Sequence, residues 1–134
     1  MNKFLKLLYK IGFFEFVFHT YAIIWLISHR KPKEIDGKTI LNIFYLNFLR
    51  IPPKNCEVIK MTKDTLITRC NNRCPILDLS EKLNLDTRKS CEKISAPACK
   101  FFLKKLDKRI IFKRNYEFIR PYQASCEETI TIRE

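Results

Sequence analysis

The sequence is poor in glycine and proline, which build tight turns, and in histidine, which most often performs acid–base chemistry. Its 134 residues include two Gly, six Pro and two His. So few turn formers argue against a sandwich of many short strands and favour helices packed with a modest sheet. The sequence also contains no Gly-rich phosphate loop and no internal repeat, which argues against nucleotide-binding loops and repeat architectures.

The remaining composition indicates one globular domain. Hydrophobic residues make up 46% of the chain, which excludes a disordered polypeptide, and this length suffices to bury a core. We therefore predict a single α+β domain over residues 1–134. N-terminal and central helices are expected to pack against a small antiparallel sheet of about four strands, with residues 55–134 as the cysteine-bearing core.

The net charge of +12 is large. A basic chain can meet nucleic acid, an anionic membrane or an acidic partner. The Lys and Arg residues are spread along the sequence, however, and accompany no nucleic-acid-binding motif. We interpret most of them as a solvated surface and predict no specific nucleic-acid partner.

Residues 1–28 form the most apolar stretch of the sequence. This stretch contains no proline and one glycine, Gly12, so it predicts one continuous helix. Glu15 and His19 share one face of that helix, and a charge at mid-membrane is costly. We therefore favour a buried or dimer-forming helix in a homodimer; an anchor on a membrane surface is the alternative. No small-x-small cleavage site follows, so the expected location is the reducing cytoplasm, with membrane association as the alternative.

Helical and strand-like segments follow. A helix is predicted over residues 37–50, and Pro75 opens a short helix with Cys74 at its N-cap. Ser95-Ala96-Pro97 is expected to break or restart the helix that carries Cys91. Two antiparallel strand pairs are predicted, at residues 56–61 with 65–70 and at residues 109–119 with 125–133.

Five of the six cysteines lie in the second half of the chain, and Cys74 is the candidate catalytic nucleophile. A thiol at a helix N-terminus, with Arg69 and Arg73 nearby in sequence, is more readily ionised. A structural role as a small buried side chain is equally compatible with the sequence. Cys126 alternates with polar residues in the last strand and is predicted to point inward.

The two histidines offer little to a cysteine nucleophile. A Cys–His pair would require His19 or His29 to fold back against Cys74. We expect His19 to pair instead with Glu15, four positions earlier.

A metal site is the second interpretation of the cysteines. Cys70 and Cys74 are separated by three residues, a spacing common in zinc ligand pairs. Cys91 and Cys99 lie about two helical turns apart and would share an ion only if the helix folds back at Pro97. The alternative ligand set is therefore Cys70, Cys74, Cys91 and Cys99, with zinc as the metal; no other cofactor is indicated.

The order of features over the last part of the chain resembles a known family. A strand leads into Arg73-Cys74-Pro75, Cys91 follows, a helix ends near Lys105-Leu106-Asp107, and a strand precedes a closing Cys126. This order resembles the L-2-amino-thiazoline-4-carboxylic acid hydrolase-like family and the related vinyl-4-reductase-type small-molecule-binding domains.

The resemblance implies an α+β domain, often dimeric, that encloses a ligand pocket. For the hydrolase-like members it implies ring-opening hydrolysis of a sulfur heterocycle, with Cys74 as nucleophile and Cys91 and Cys126 in the pocket wall. For the sensor-like members it implies a non-catalytic binding module in which cysteines ligate zinc.

Overall fold

The computed structural model of the chain describes residues 2–133. It confirms the predicted α+β class. The helices are α1 (Asn2–Lys10), α2 (Phe13–Ser28), α3 (Gly37–Ile40), α4 (Pro75–Leu83), α5 (Thr87–Ser90) and α6 (Ala96–Leu106). The strands are β1 (Cys56–Met61), β2 (Thr65–Cys70), β3 (Ile110–Arg114) and β4 (Cys126–Ile132).

The four strands form one antiparallel sheet in the order β1-β2-β4-β3. The bounds of β1 and β2 are those predicted, because a hydrophobic alternation flanks a short polar turn. Along β2 every second residue is buried, whereas the edge strand β1 is largely exposed. One face of the sheet therefore receives the helices, and Cys70 at the end of β2 lies on that face.

Aromatic side chains fill the core between α2, α6 and the sheet. Phe44 and Phe102 are fully buried, and the rings of Phe48 and Phe102 stack with their centroids 3.8 Å apart. A second cluster includes Ile76 of α4 and the buried Ile94. Cys70 and Cys99 belong to the first cluster and Cys91 to the second, and Cys74 and Cys126 pack against the second.

Two helical segments widen into π-helical turns. Leu41–Phe48 continues α3, and Cys91–Ser95 joins α5 to α6. Of the two outcomes expected at Ser95-Ala96-Pro97, a break or a restart of the helix, the structure shows the restart. Helix α6 begins at Ala96 with Pro97 in its first turn, and the N–H of Ala96 donates to the carbonyl of Cys91. A π-helical turn accommodates Pro at this position because the hydrogen-bond ladder has already shifted by one residue.

The single helix predicted for residues 1–28 is also wrong. Gly12 adopts the left-handed conformation (φ 83°) and separates α1 from α2, whose axes differ by 60°. Glycine reaches this conformation without a Cβ clash. Within the described residues, no one helix has the length and apolar character to cross a bilayer, although α1 and α2 together meet those two criteria as a bent pair.

The strand predicted at residues 109–119 ends earlier, at Arg114. There Asn115 starts a turn: its side-chain Oδ1 accepts from the N–H of Glu117, and its carbonyl accepts from the N–H of Phe118. Asn favours such turns because its side chain replaces a backbone acceptor. The loop that follows carries Arg120 back toward the start of β4.

Candidate thiol-lined ligand site

Five cysteines line a single cavity of about 140 Å³ between the sheet and the helices. They are Cys70, Cys74, Cys91, Cys99 and Cys126. The structure brings Cys74, Cys91 and Cys126 together at this cavity, with Cys70 and Cys99. Their predicted roles as nucleophile and substrate-pocket residues stay predictions. The charged side chains of the wall are Arg73, Arg114, Arg120 and Glu128.

Each thiol reaches the cavity from the end or inner face of an element. Cys70 closes β2 and is paired in register with Cys126, which opens β4. Cys74 is the N-cap residue of α4. Cys91 and Cys99 lie on the continuous α5–α6 run.

Cys56 lies on the other side of Cys70 and completes a cross-strand thiol pair. The two residues face each other in the β1–β2 register, and their Sγ atoms are 3.2 Å apart. The hydrogen bond between them, followed by burial, raises the pKa of Cys70 far above the ordinary thiol value. The same hydrogen bond lowers the pKa of Cys56, so Cys56 is the partner that ionises first.

A buried ion pair forms the floor of the cavity. The side chains of Arg114 and Glu128 are 8% and 7% exposed, and both Nε (2.7 Å) and Nη2 of Arg114 donate to Oε2 of Glu128. The Tyr45 hydroxyl donates to Oε1 of Glu128 at 2.9 Å, and Nη1 of Arg114 donates to Ser95 Oγ at 3.2 Å. Burial would lower the pKa of Arg114, but the Glu128 charge holds it well above its ordinary value.

Arg120 lies in the loop between β3 and β4 and brings another guanidinium to the cavity. Its Nε and its backbone N–H donate to the Sγ of Cys126 at 3.3 and 3.4 Å, and its Nη1 donates to the Asn72 carbonyl. Within the described part of the chain, no carboxylate lies within 4.0 Å of this guanidinium. Because Arg114 pairs with Glu128 and Arg73 pairs with Asp78, Arg120 leaves the cavity with one uncompensated positive charge.

The deeper thiols are poor nucleophiles. Burial raises the pKa of Cys91 to about 11 and that of Cys99 to about 12. Both are therefore neutral thiols at physiological pH and form part of the wall. Cys91 lines this cavity, and its predicted role in a substrate pocket stays a prediction.

The two arginines expected to assist Cys74 are engaged elsewhere. Arg69 pairs with Glu127 at 2.9 Å and covers the Phe118 ring. The side chain of Arg73 is 91% exposed and pairs with Asp78 at 3.2 Å. The expectation that these arginines assist Cys74 was wrong, because residues that are close in sequence around a strand end point in different directions.

Neither histidine belongs to the described cavity wall. His19 packs edge-on against Phe101, with ring centroids 5.4 Å apart, and His29 stacks on Trp25 at 3.9 Å. The expected His19–Glu15 pair does not form: Glu15 accepts from Nζ of Lys93 at 2.5 Å.

The predicted zinc ligand set has no geometric counterpart among residues 2–133. No three or more His, Cys, Asp or Glu side chains in that range are arranged so that they could hold a metal ion. The cavity does bring Cys70, Cys74, Cys91 and Cys99 to one wall.

An apolar groove of about 500 Å³ adjoins the cavity. Both share Phe18, Leu49, Pro75, Ser95 and Cys99 as lining residues. The rest of the groove is formed by Val17, Tyr21, Phe48, Ala98 and the exposed Arg50. The site thus joins a small charged end to a larger, mainly apolar one.

Sequence reasoning missed the charged residues of the site. A signal was nevertheless present: Glu128 shares the inward face of β4 with Cys126 and Ile130, and a buried carboxylate requires a cationic partner. The adjacent strand offers Arg114 directly opposite Glu128. Arg120 lies in an irregular loop, where no hydrophobic periodicity indicates which side chains face the core.

Comparisons of the chain with family models, with curated proteins and with solved structures return no match in any of the three. The chemistry of the site therefore has to be inferred from its own residues.

Proposed function

We propose that the protein binds a small amphipathic carboxylate, with the carboxylate in the thiol-lined cavity and the apolar body in the adjoining groove. The observation that carries this proposal is Arg120, a guanidinium without a carboxylate partner in the described chain at a cavity that is otherwise neutral. Guanidinium groups bind carboxylates through paired N–H donors.

The two parts of the site match the two parts of such a ligand. The cavity of about 140 Å³ accommodates only a few heavy atoms, whereas the groove of about 500 Å³ is in the range of small-molecule pockets. Apolar side chains in the groove favour burial of a hydrocarbon or aromatic body.

Isothermal titration with straight-chain and aromatic carboxylates, each paired with its primary alcohol, tests the proposal. We expect carboxylates to bind and the matched alcohols to bind more weakly. Arg120→Gln should lower carboxylate affinity by about tenfold to a hundredfold, the value of a charge-assisted hydrogen bond. Arg88→Gln is the matched control, because its side chain is 46% exposed and lines neither the cavity nor the groove.

Equal affinity for carboxylates and alcohols would contradict the proposal, as would an Arg120→Gln variant that folds normally and keeps its affinity. Circular dichroism on each variant separates loss of binding from loss of fold.

Thiol-dependent hydrolysis of a small sulfur heterocycle is the second candidate. A thiazoline carboxylate carries the anionic group that the Arg120 proposal requires, close to a ring that thiols attack. A cysteine thiolate would add to the ring carbon between nitrogen and sulfur, and the ring C–S bond would break as that sulfur takes up a proton. Water would then displace the enzyme thiol, so that the net reaction adds one water across the C–S bond.

Two thiols compete for the nucleophile's role. Cys74 is the residue predicted from sequence, and Cys126 is the thiol that accepts two N–H hydrogen bonds from Arg120. Turnover of L-2-amino-thiazoline-4-carboxylate by Cys74→Ala and Cys126→Ala distinguishes them, with Cys91→Ala as the wall control. Loss of turnover in one of the two, with binding retained, supports hydrolysis; absence of turnover in the unmodified protein contradicts it.

Hydrolysis ranks second because a general base is hard to assign. The carboxylate of the cavity, Glu128, already accepts from Arg114 and Tyr45, and the histidines lie elsewhere. Binding requires no such base.

A further inference from the structure

The outer surface of α1 and α2 is a continuous band of large apolar side chains, which we call the N-terminal apolar face. Its members are Phe4, Leu7, Ile11, Phe13, Phe16, Val17, Tyr21, Ile23, Ile24 and Ile27. The most exposed are Ile27 at 80% and Phe16 at 69%. Scattered exposed apolar residues are ordinary, but a contiguous set of this size marks an interaction surface.

Basic side chains border this face, whereas acidic side chains are absent from it among the described residues. Lys3, Lys6 and Lys10 recur every three or four residues along α1, next to the apolar stripe, and are exposed. At the other end, Arg30 and Lys31 follow α2. No acidic residue occurs in α1.

Glu15 is the acidic residue of α2, and it is turned inward. Its carboxylate accepts from Nζ of Lys93, which also donates to the carbonyl of Tyr9 and lies over the Tyr9 ring. The Glu15 charge is thus neutralised from within the domain, and the outer face of α2 presents apolar side chains.

We propose that this face binds the surface of an anionic lipid membrane, with α1 and α2 lying in the plane of the headgroups. Helices of this kind combine a basic border with an aromatic and aliphatic face, which enters the boundary between headgroups and acyl chains. The lysines of α1 then lie at the level of the anionic headgroups. Charge complementarity selects this occupant over a second copy of the chain, because a twofold dimer would place the basic borders of two chains against each other.

Co-sedimentation with vesicles tests the proposal. We compare vesicles of phosphatidylcholine alone with vesicles of phosphatidylcholine mixed with phosphatidylglycerol. The protein should bind the mixed vesicles, and the binding should weaken as salt is raised. Lys3→Gln, Lys6→Gln and Lys10→Gln together should lower binding by about a hundredfold, since each lysine near the surface contributes about fivefold.

The double variant Phe16→Ser/Ile27→Ser removes apolar area that is already exposed, so the fold should survive. It should lower vesicle binding by more than about tenfold. Ile59→Ser on the edge strand β1, where Ile59 is 44% exposed, is the matched control and should bind as the unmodified protein does.

Sedimentation equilibrium in the absence of lipid completes the experiment. A monomer that binds anionic vesicles through these residues is the expected result. A dimer that Phe16→Ser/Ile27→Ser dissociates, together with no vesicle binding, would overturn the proposal and assign the face to a second copy of the chain. Vesicle binding that is insensitive to the double variant would overturn it as well.

Discussion

The buried ion pair beneath the thiol cavity predicts a large and specific loss of stability when one partner is removed. Arg114 and Glu128 face each other across β3 and β4, and both side chains are less than one tenth exposed. Removing one member of such a pair leaves an uncompensated buried charge, which costs about 3–5 kcal/mol. We therefore expect Arg114→Met to lower the free energy of unfolding by that amount.

Glu128→Gln should have a comparable effect for the complementary reason. The Gln amide oxygen still accepts from the Tyr45 hydroxyl. The buried Arg114 guanidinium, however, loses its charged partner and retains the uncharged side chain of Ser95. The double variant leaves no buried charge at this site. Its cost should therefore fall short of the sum of the two single costs by about 2–3 kcal/mol.

The other neighbour of β4 supplies a matched control one residue away. Arg69 and Glu127 face each other across β2 and β4 at 2.9 Å, with side chains 37% and 18% exposed. Because water screens this pair, Arg69→Met and Glu127→Gln should each cost at most about 1 kcal/mol, and their coupling should be smaller still.

Urea unfolding followed by circular dichroism measures all six variants, with a common m-value as the test that the denatured states are comparable. Equal coupling energies for the two pairs would refute the reasoning, since burial is the property that separates them. So would an Arg114→Met variant as stable as the unmodified protein, because Glu128 would then be hydrated through the cavity.

Three further predictions concern thiols and backbone. Oxidised glutathione should convert Cys56 and Cys70 to an intramolecular disulfide, as its own S–S bond breaks and takes up the two thiol protons and two electrons to give two glutathione thiols. Mass spectrometry of the alkylated protein detects the disulfide, and Cys56→Ser should abolish it. The folded protein should lose stability as the pH rises from 9 toward 12, because buried Cys99, with its pKa of about 12, keeps the proton that the unfolded chain releases near 9. The free energy of unfolding should fall by up to about 1.4 kcal/mol per pH unit for this thiol, and comparison with Cys99→Val isolates its contribution. Gly12→Ala should destabilise the fold by about 1–2 kcal/mol in urea unfolding, because φ is 83° at this position.

Local patterns predicted the elements that place the thiols. The alternation of β2 and β4, together with Pro75 after Cys74, was enough to put Cys70, Cys74 and Cys126 at the ends of elements. Those signals are local in sequence, so they survive in the folded protein. The convergence of the thiols on one cavity depends in addition on the register of β2 with β4 and on the packing of the helices against the sheet.

Two expectations depended on longer-range information and were wrong. Whether Gly12 bends a helix depends on what each half packs against. A third expectation left two outcomes open, because whether Pro97 breaks or restarts a helix depends on the π-helical turn before it. The partners of Arg69 and Arg73 depend on strand register and on the direction in which each side chain points. The charges of the site were missed for the same reason, because Arg114 meets Glu128 only through the pairing of β3 with β4.

The apolar groove and the N-terminal apolar face are adjacent, since Val17 and Tyr21 line the groove and also belong to the face. A membrane covering the face would therefore lie at the mouth of the groove, and the apolar body of a ligand could enter without crossing water. The two proposals nevertheless separate experimentally. Neither Phe16 nor Ile27 lines the groove, so Phe16→Ser/Ile27→Ser should impair vesicle binding and leave the affinity for a soluble carboxylate unchanged, while Arg120→Gln should do the reverse. If each variant impaired both activities, the face and the groove would instead be parts of one lipid-binding site.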